Sequence, residues 1–182
     1  MSTDHSDTIG PRIRHIPEGD DRQRLVCPEC GYIAYENPRI VVGAVCRWDS
    51  RILLCRRAIE PRCGYWTLPA GYLELHESVE DGVRREAWEE ARAELELGPL
   101  LAVYSITRVN LIQLIFRARL LRPDVSPGPE SKETYLFDWD EIPFDELAFP
   151  SVRWALEHDR RADAESIPIV ASNPKPGSPP QL

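Results

Sequence analysis

Positive charge is scarce in this sequence: 22 lysines and arginines stand against 30 aspartates and glutamates, a formal net charge of −8. A general nucleic-acid binder needs a basic footprint, so that class is excluded. An anionic substrate is admitted only where a metal ion or a local group of arginines offsets the field. Long apolar runs are also missing. None comes near the ~20 residues needed to span a bilayer, and the N-terminal MSTDHSDTIG has no apolar core of a secretory signal. The expectation is a cytoplasmic chain with no membrane partner. Its five cysteines would then stay reduced and serve packing or a metal rather than disulfides. No internal repeat is present. With 182 residues, 42% of them hydrophobic, the chain suits one domain with short appendages.

The order of residue patterns divides the chain in three. Residues 1–38 form an N-terminal arm with one Cys-x-x-Cys knuckle, Cys27-Pro-Glu-Cys30. Residues 39–160 carry the periodic segments. Residues 161–182 are proline-rich and poor in large apolar side chains, and are expected to be a disordered tail. RIVVGAVCRW (39–48) reads as a buried strand, Asp49-Ser50 as a turn and RILLCRRA (51–58) as a second strand. GYWTLPAGYLE (64–74) reads as strand, loop, strand. PLLAVYSIT (99–107), LIQLIFRARLL (111–121) and ETYLFDWDEI (133–142) read as further strands, and RPDVSPGPES (122–131) as a loop. Pro150 suits the first position of a last helix.

Between them, Gly71 to Leu95 holds seven glutamates. Ser78 is a plausible helix N-cap, with Asp81 reaching back. On a helix, Glu86, Glu89 and Glu90 share one face at i, i+3 and i+4. Val79, Val83, Ala87 and Ala91 fill the neighbouring arc. The carboxylates therefore border the buried stripe, at the lip of a cleft. Like charges at this spacing repel. They are an ordinary wet face unless a cation makes the crowding useful, and oxygen-only ligands suit Mg²⁺ or Mn²⁺.

The segment resembles the Nudix box, G-x5-E-x7-R-E-U-x-E-E-x-G-U, at Gly71, Glu77, Arg85, Glu86, Glu89 and Glu90. Arg92 stands where the family has its second glycine, so the helix is expected to run on toward Leu95. Ala87 and Ala93 are small for the two bulky positions. Residues 25–157 are similar to the bacterial Nudix branch with an N-terminal zinc-ribbon knuckle, usually labelled ADP-ribose pyrophosphatases, whose plant plastid relatives act on FAD and ADP-ribose. The resemblance implies an α/β fold, the Nudix α/β/α sandwich with a mixed sheet, behind a small degenerate zinc-ribbon-like segment. It implies metal-dependent cleavage of a nucleoside diphosphate linked to X: ADP-ribose to AMP and ribose 5-phosphate, or FAD to AMP and FMN. A nucleotide-sensing module without catalysis is the alternative class. The proline- and tryptophan-rich motif of the NADH-cleaving branch is absent from 96–121.

By the same resemblance Glu86, Glu89 and Glu90 are metal ligands, with the carbonyl of Ala70 or Gly71, and Arg85 orients Glu77. Glu86 and Glu89 count as catalytic together with a general base from the late loop, Glu130 or Glu133. Glu130, set among prolines and a glycine, is preferred. Arg56, Arg57 and Arg62 are candidates for phosphate grip. Tyr65, Trp66, Tyr72 and Tyr104 could stack on a base or lie in the core, and Asn110 stands where the branch contacts substrate. A homodimer is a further implication. Zinc wants four ligands, and this chain keeps only Cys27 and Cys30. Alignment on IPEGDD puts His5 and Thr8 in place of the missing pair, with His15 nearby. A ribbon that keeps its fold without Zn²⁺ is preferred over a site completed by the histidines.

Overall fold

The computed structural model describes residues 9–162 and 170–173. Two compact units meet in sequence at Pro38 and Arg39: Met1–Pro38 and Arg39–Leu182. The first is an antiparallel sheet of β1 (Ile13–His15), β2 (Arg24–Val26) and β3 (Ile33–Ala34). The Cys27–Cys30 knuckle links β2 to β3. Its turn is closed by Gly31 N–H on the Cys27 carbonyl at 2.9 Å and by Cys27 N–H on the Tyr32 carbonyl at 2.8 Å. Cys27 is buried and Cys30 exposed. His15 pairs in register with Arg24. That is three positions before Cys27, about 10 Å along the strand. His5 and Thr8 lie outside the described residues.

The second unit is built on a split hairpin. β4 (Arg39–Trp48) and β5 (Arg51–Arg57) turn at Asp49, whose φ is 53°. They pair only at Arg47–Ile52 and Trp48–Arg51 before diverging. The gap is filled by β6 (Trp66–Thr67), paired with β5, and β7 (Ala70–Tyr72), paired with β4. β8 (Leu95–Ile106) and β9 (Leu111–Leu120) form an antiparallel hairpin, and β9 runs parallel to β4. β10 (Ser131–Phe137) lines the far side of β5. The mixed sheet runs β10-β5-β4-β9-β8, with β6 and β7 wedged in the split.

One helix covers each face. α1 (Val79–Ala91) packs Val83, Ala87 and Ala91 on Val42, Ala44, Cys46, Leu53 and Phe116. α2 (Pro150–Ala162) packs Val152, Ala155 and Leu156 on Val45, Leu54, Leu101, Tyr104 and Ile115. Alternation along β4 and β9 sends successive side chains to opposite helices, giving the expected α/β/α layers. Asp159 of α2 is fully buried and accepts from Arg47 Nε and Arg117 Nε, both at 2.6 Å. Among the described residues no helix is long and apolar enough to cross a membrane.

Three local expectations are corrected. α1 stops at Ala91: Arg92 adopts the left-handed conformation (φ 52°) and its N–H bonds back to the helix, so hydrogen-bonded closure outweighs the missing glycine. The strand after the late loop ends at Phe137 rather than 142, because Trp139–Glu141 coils into a 3₁₀ turn and Trp139 packs on Phe144 and Arg160. Part of the expected tail is ordered. α2 continues to Ala162, and Ala171 bridges to β8, donating to the Leu101 carbonyl at 2.9 Å. Residues 163–169 and 174–182 lie outside the described residues.

Candidate active site

α1 starts where its sequence allows. Ser78 is extended, its hydroxyl accepts the Asp81 N–H at 3.1 Å and donates to Asp81 Oδ2 at 2.7 Å. One residue earlier, Glu77 accepts the Glu74 N–H at 2.7 Å. Arg85, two turns on, grips Glu77 and donates from Nη2 to the Tyr72 carbonyl at 3.0 Å. The Glu77 carboxyl is thereby held far down, at about 2, chiefly by its hydrogen bonds from Arg85. Strand β7, the connecting loop and α1 are thus tied through one guanidinium.

The three box carboxylates are neighbours but do not point at one centre. Arg85 Nη1 donates to Glu86 Oε1 at 2.7 Å and to Glu89 Oε2 at 3.0 Å. Glu90 Oε2 accepts the Ala70 N–H at 3.1 Å. Among the described residues no three His, Cys, Asp or Glu side chains converge as an ion's ligand shell. The electrostatics nonetheless suit a cation. Glu86 and Glu90 are only 8% and 7% exposed. Burial raises both carboxyls, Glu90 to about 8, and the charges of Glu86 and Glu130 add to the rise at Glu90. Buried carboxylates of like sign are costly unless compensated. Arg85 and Arg57 are the cations whose charge acts on them. All-oxygen donors in such a place fit Mg²⁺ or Mn²⁺. Gly71 belongs to the same arrangement: a Cβ there would lie 2.3 Å from Glu86 Oε2, so only glycine lets this carboxylate rest against β7.

The two late-loop glutamates part company. Glu130 acts electrostatically on both Glu86 and Glu90. Glu133 faces Arg56 on β5, 3.7 Å away. What brings Glu130 in is Gly128, the glycine set beside it in the late loop. The loop lies on the end of α1, with Ser126 N–H on the Ala91 carbonyl and Gly128 N–H on the Glu90 carbonyl, both at 3.0 Å. A Cβ on Gly128 would sit 1.6 Å from the Glu89 carbonyl oxygen. Ser131 N–H then closes a turn on the Gly128 carbonyl at 3.0 Å, with Pro129 and Glu130 at its centre, and Ala58 N–H holds the Glu130 carbonyl at 2.8 Å. The flanking Pro-Gly-Pro was the available signal, since prolines on both sides fix the approach.

The substrate candidates divide as well. Arg57 acts on the cluster through its charge at Glu90, with Nε on the Pro61 carbonyl at 2.8 Å and its guanidinium over Phe149. Arg62 stacks on Tyr65 at 5.1 Å within the loop beyond β5. Asn110 caps the β8–β9 turn, and its carbonyl accepts the Arg39 N–H at 2.9 Å. Trp66 is not a stacking surface. It is 6% exposed and meets Phe137 edge-on, because the pleat turns it into the α2-side core. Tyr104 is core too, sharing a 2.7 Å hydrogen bond with His158 Nδ1. Tyr65 and Tyr72 remain exposed.

A helix of paired carboxylates that follows a strand with a central glycine, on a split mixed sheet between two helices, defines a class. Residues 37–162 match the NUDIX domain family, and residues 10–36 match the Nudix N-terminal family, a zinc ribbon. The chain belongs to the NUDIX family of hydrolases. It is similar to a solved NUDIX hydrolase from Nitrosomonas europaea, at 40% identity and a TM-score of 0.84 over 92% of this chain and 97% of that one. An ADP-ribose pyrophosphatase of Methanocaldococcus jannaschii is 33% identical over 65% of this chain and 71% of its own length. A MutT-like protein of Streptomyces ambofaciens is 44% identical over 56% of this chain, and the match spans 64% of that relative, just under two thirds. Nudix hydrolases use divalent metals and act on small nucleotides.

Proposed function

We propose that this chain, with Mg²⁺ or Mn²⁺, hydrolyses the pyrophosphate of a nucleoside diphosphate linked to X, and that ADP-ribose is its preferred substrate, giving AMP and ribose 5-phosphate. The observation that carries the reading is the burial of Glu86 and Glu90 side by side, with Glu130 close enough to add its charge. The archaeal ADP-ribose pyrophosphatase supports the choice of X.

Glu86, Glu89 and Glu90, with the Ala70 or Gly71 carbonyl, would hold the ion. When bound, it neutralises pyrophosphate oxygens and acidifies water. Arg85, bonded to Glu86 and Glu89, would hold these carboxylates beside the ion while keeping Glu77 and β7 in place. Glu130 takes the proton of the attacking water at a carboxylate oxygen, as a general base within reach. Arg57 offers its fork to a phosphate that this acidic chain would otherwise repel. The attack falls on phosphorus, because nothing in the carboxylate cluster addresses a glycosidic carbon. The reaction is placed in the cytoplasm.

The test is a panel of ADP-ribose, FAD, NADH, NADPH, diadenosine polyphosphates and dNTPs with Mg²⁺ or Mn²⁺, products resolved by chromatography. AMP with ribose 5-phosphate is expected, abolished by chelator. Faster release of AMP and FMN from FAD would overturn the choice of X, and nucleotide binding without turnover would overturn catalysis.

A further inference from the structure

Gln113 of β9 had no part in the sequence reading. Among the described residues its Oε1 is the buried side-chain oxygen or nitrogen that finds no hydrogen-bond partner. Burying such a group unpaired is costly, and native chains seldom do so without a use for it. Its place in the sheet suggests the use. Val41 is in register with Tyr72 on one side and with Gln113 on the other. Residues in register across neighbouring strands project to the same face, so Tyr72, Val41 and Gln113 form one row across three strands.

The row lies on the α2 side of the sheet. Ile115, two residues beyond Gln113, packs in the α2-side core, and Leu114 packs in the α1-side core. Tyr72 is 46% exposed, and the Arg39 guanidinium lies 5.1 Å from its ring centre. Its neighbour Gly71 abuts Glu86, and its carbonyl accepts from Arg85. The row lies across the sheet from α1 and its carboxylates, and Tyr72 stands one residue along β7 from Gly71, which meets Glu86. The row offers an aromatic face, an apolar floor at Val41 and an unpaired amide oxygen.

We propose that Tyr72, Val41 and Gln113 are the nucleobase subsite of this hydrolase, and that Gln113 selects a base with an exocyclic amino group beside a ring nitrogen, adenine first. This rests on the reading of the site as one for a nucleoside diphosphate. A primary amide carries one acceptor and one donor side, and adenine presents the complementary pair. The terminal amide torsion is broad and two-fold, so the inward-turned oxygen can swing to the base edge without moving the strand. Tyr72, steadied by Arg39, stacks on the ring face.

Calorimetric titration of the full chain with AMP, in Mg²⁺, tests this apart from catalysis, since AMP has no pyrophosphate to cleave. The comparison ligand is purine riboside 5′-monophosphate, which lacks the 6-amino group. Wild type should bind AMP more tightly, on the order of tenfold, because the analogue leaves the amide oxygen unpaired. Gln113→Leu should remove that advantage by weakening AMP alone, and Gln113→Met, closer in shape, should do the same if the leucine variant fails to melt cooperatively. Tyr72→Ala should weaken both ligands alike, and Tyr72→Phe neither. A Gln113 variant that keeps the AMP preference overturns the proposal. So does equal binding of the two ligands by wild type, or no detectable binding of either. Failure of every diphosphate in the hydrolysis panel would leave this measurement standing, so the two readings fail separately.

Discussion

Arg85 holds Glu77 by two parallel hydrogen bonds, Nε to Oε2 at 3.0 Å and Nη2 to Oε1 at 2.8 Å. A lysine keeps the charge but has no planar fork. Arg85→Lys should therefore free the loop before α1 and misplace Glu86, which shares the same guanidinium. The variant should melt several degrees lower and lose on the order of tenfold to a hundredfold in kcat/KM. A melt and rate equal to wild type would sink the orienting role.

The cluster predicts an order among its carboxylates. Glu90→Gln removes a charge at nearly constant shape and should cost about 10²–10³ in rate at saturating Mg²⁺, the scale of one electrostatic stabiliser. Glu130→Gln should be severe and Glu133→Gln mild, since Glu130 acts on Glu86 and Glu90 whereas Glu133 faces Arg56. Reversal of that order would move the base to Glu133. If neither changes the rate, the base lies on α1.

Gly128→Ala adds one methyl group where the Glu89 carbonyl leaves no room. The Pro-flanked loop must lift off α1 and carry Glu130 with it. A misplacement of about 1 Å can cost on the order of a hundredfold. Kinetics of Gly128→Ala in the Glu130→Gln background separate the causes. No further loss is expected there, because the two changes act on one group. Multiplying losses would show that the loop acts on the metal ligands themselves.

Much of this was legible from local pattern, and what was missed is long-range. The nearly continuous apolar run of RIVVGAVCRW located β4, alternation in LIQLIFRARLL located β9, and the spacing of Glu86, Glu89 and Glu90 located the carboxylate face of α1. The contact of Gly128 with Glu89 joins residues 39 positions apart and has no periodic trace. For Trp66 stacking and core both stayed open in the sequence, because the pleat of a two-residue strand decides which way it points. Arg92 was read as letting the helix continue. Closure of the helix end wins over the preference of a non-glycine residue for right-handed backbone, a cost of about 1–2 kcal/mol.

The pH dependence of stability follows from Glu90. In chelator its carboxyl sits at about 8, raised first by burial, against an ordinary 4.5. Between these values the folded chain holds a proton that the unfolded chain has released. Stability is then fully present below about 4.5 and falls as pH rises toward 8. Glu77, held at about 2, contributes in the opposite sense and is lost only as pH falls from 4.5 through that value. Melting in chelator should therefore drop as pH is raised from about 5 to 8, and Glu90→Gln should flatten the slope. Added Mg²⁺ should restore stability at the alkaline end, because the ion favours ionised carboxylates. A slope unchanged in Glu90→Gln would place the buried proton elsewhere.

The N-terminal unit has found another partner for its cysteine. The Cys27 thiol donates to Glu29 Oε2 at 3.0 Å, and Glu29 is paired with Arg12, whose Nη1 donates to the same oxygen at 2.8 Å. The hydrogen bond to Glu29 raises the Cys27 thiol above its ordinary value, which keeps the proton that a zinc ligand must lose. Arg12 precedes β1 and Glu29 lies in the knuckle, so this ion pair joins the two segments that a metal would cross-link. Zinc content of protein purified without chelator is expected to stay below about a tenth of an atom per chain, since half a ligand set forfeits most of the coordination energy. Glu29→Gln should loosen the knuckle and speed hydrogen exchange at the Cys27 and Gly31 amides, which close its turn. Near one zinc per chain, lost in Cys27→Ser, would show that His5 or His15 completes a site after all. Half an atom per chain, lost together with a dimer, would place a shared site between two copies.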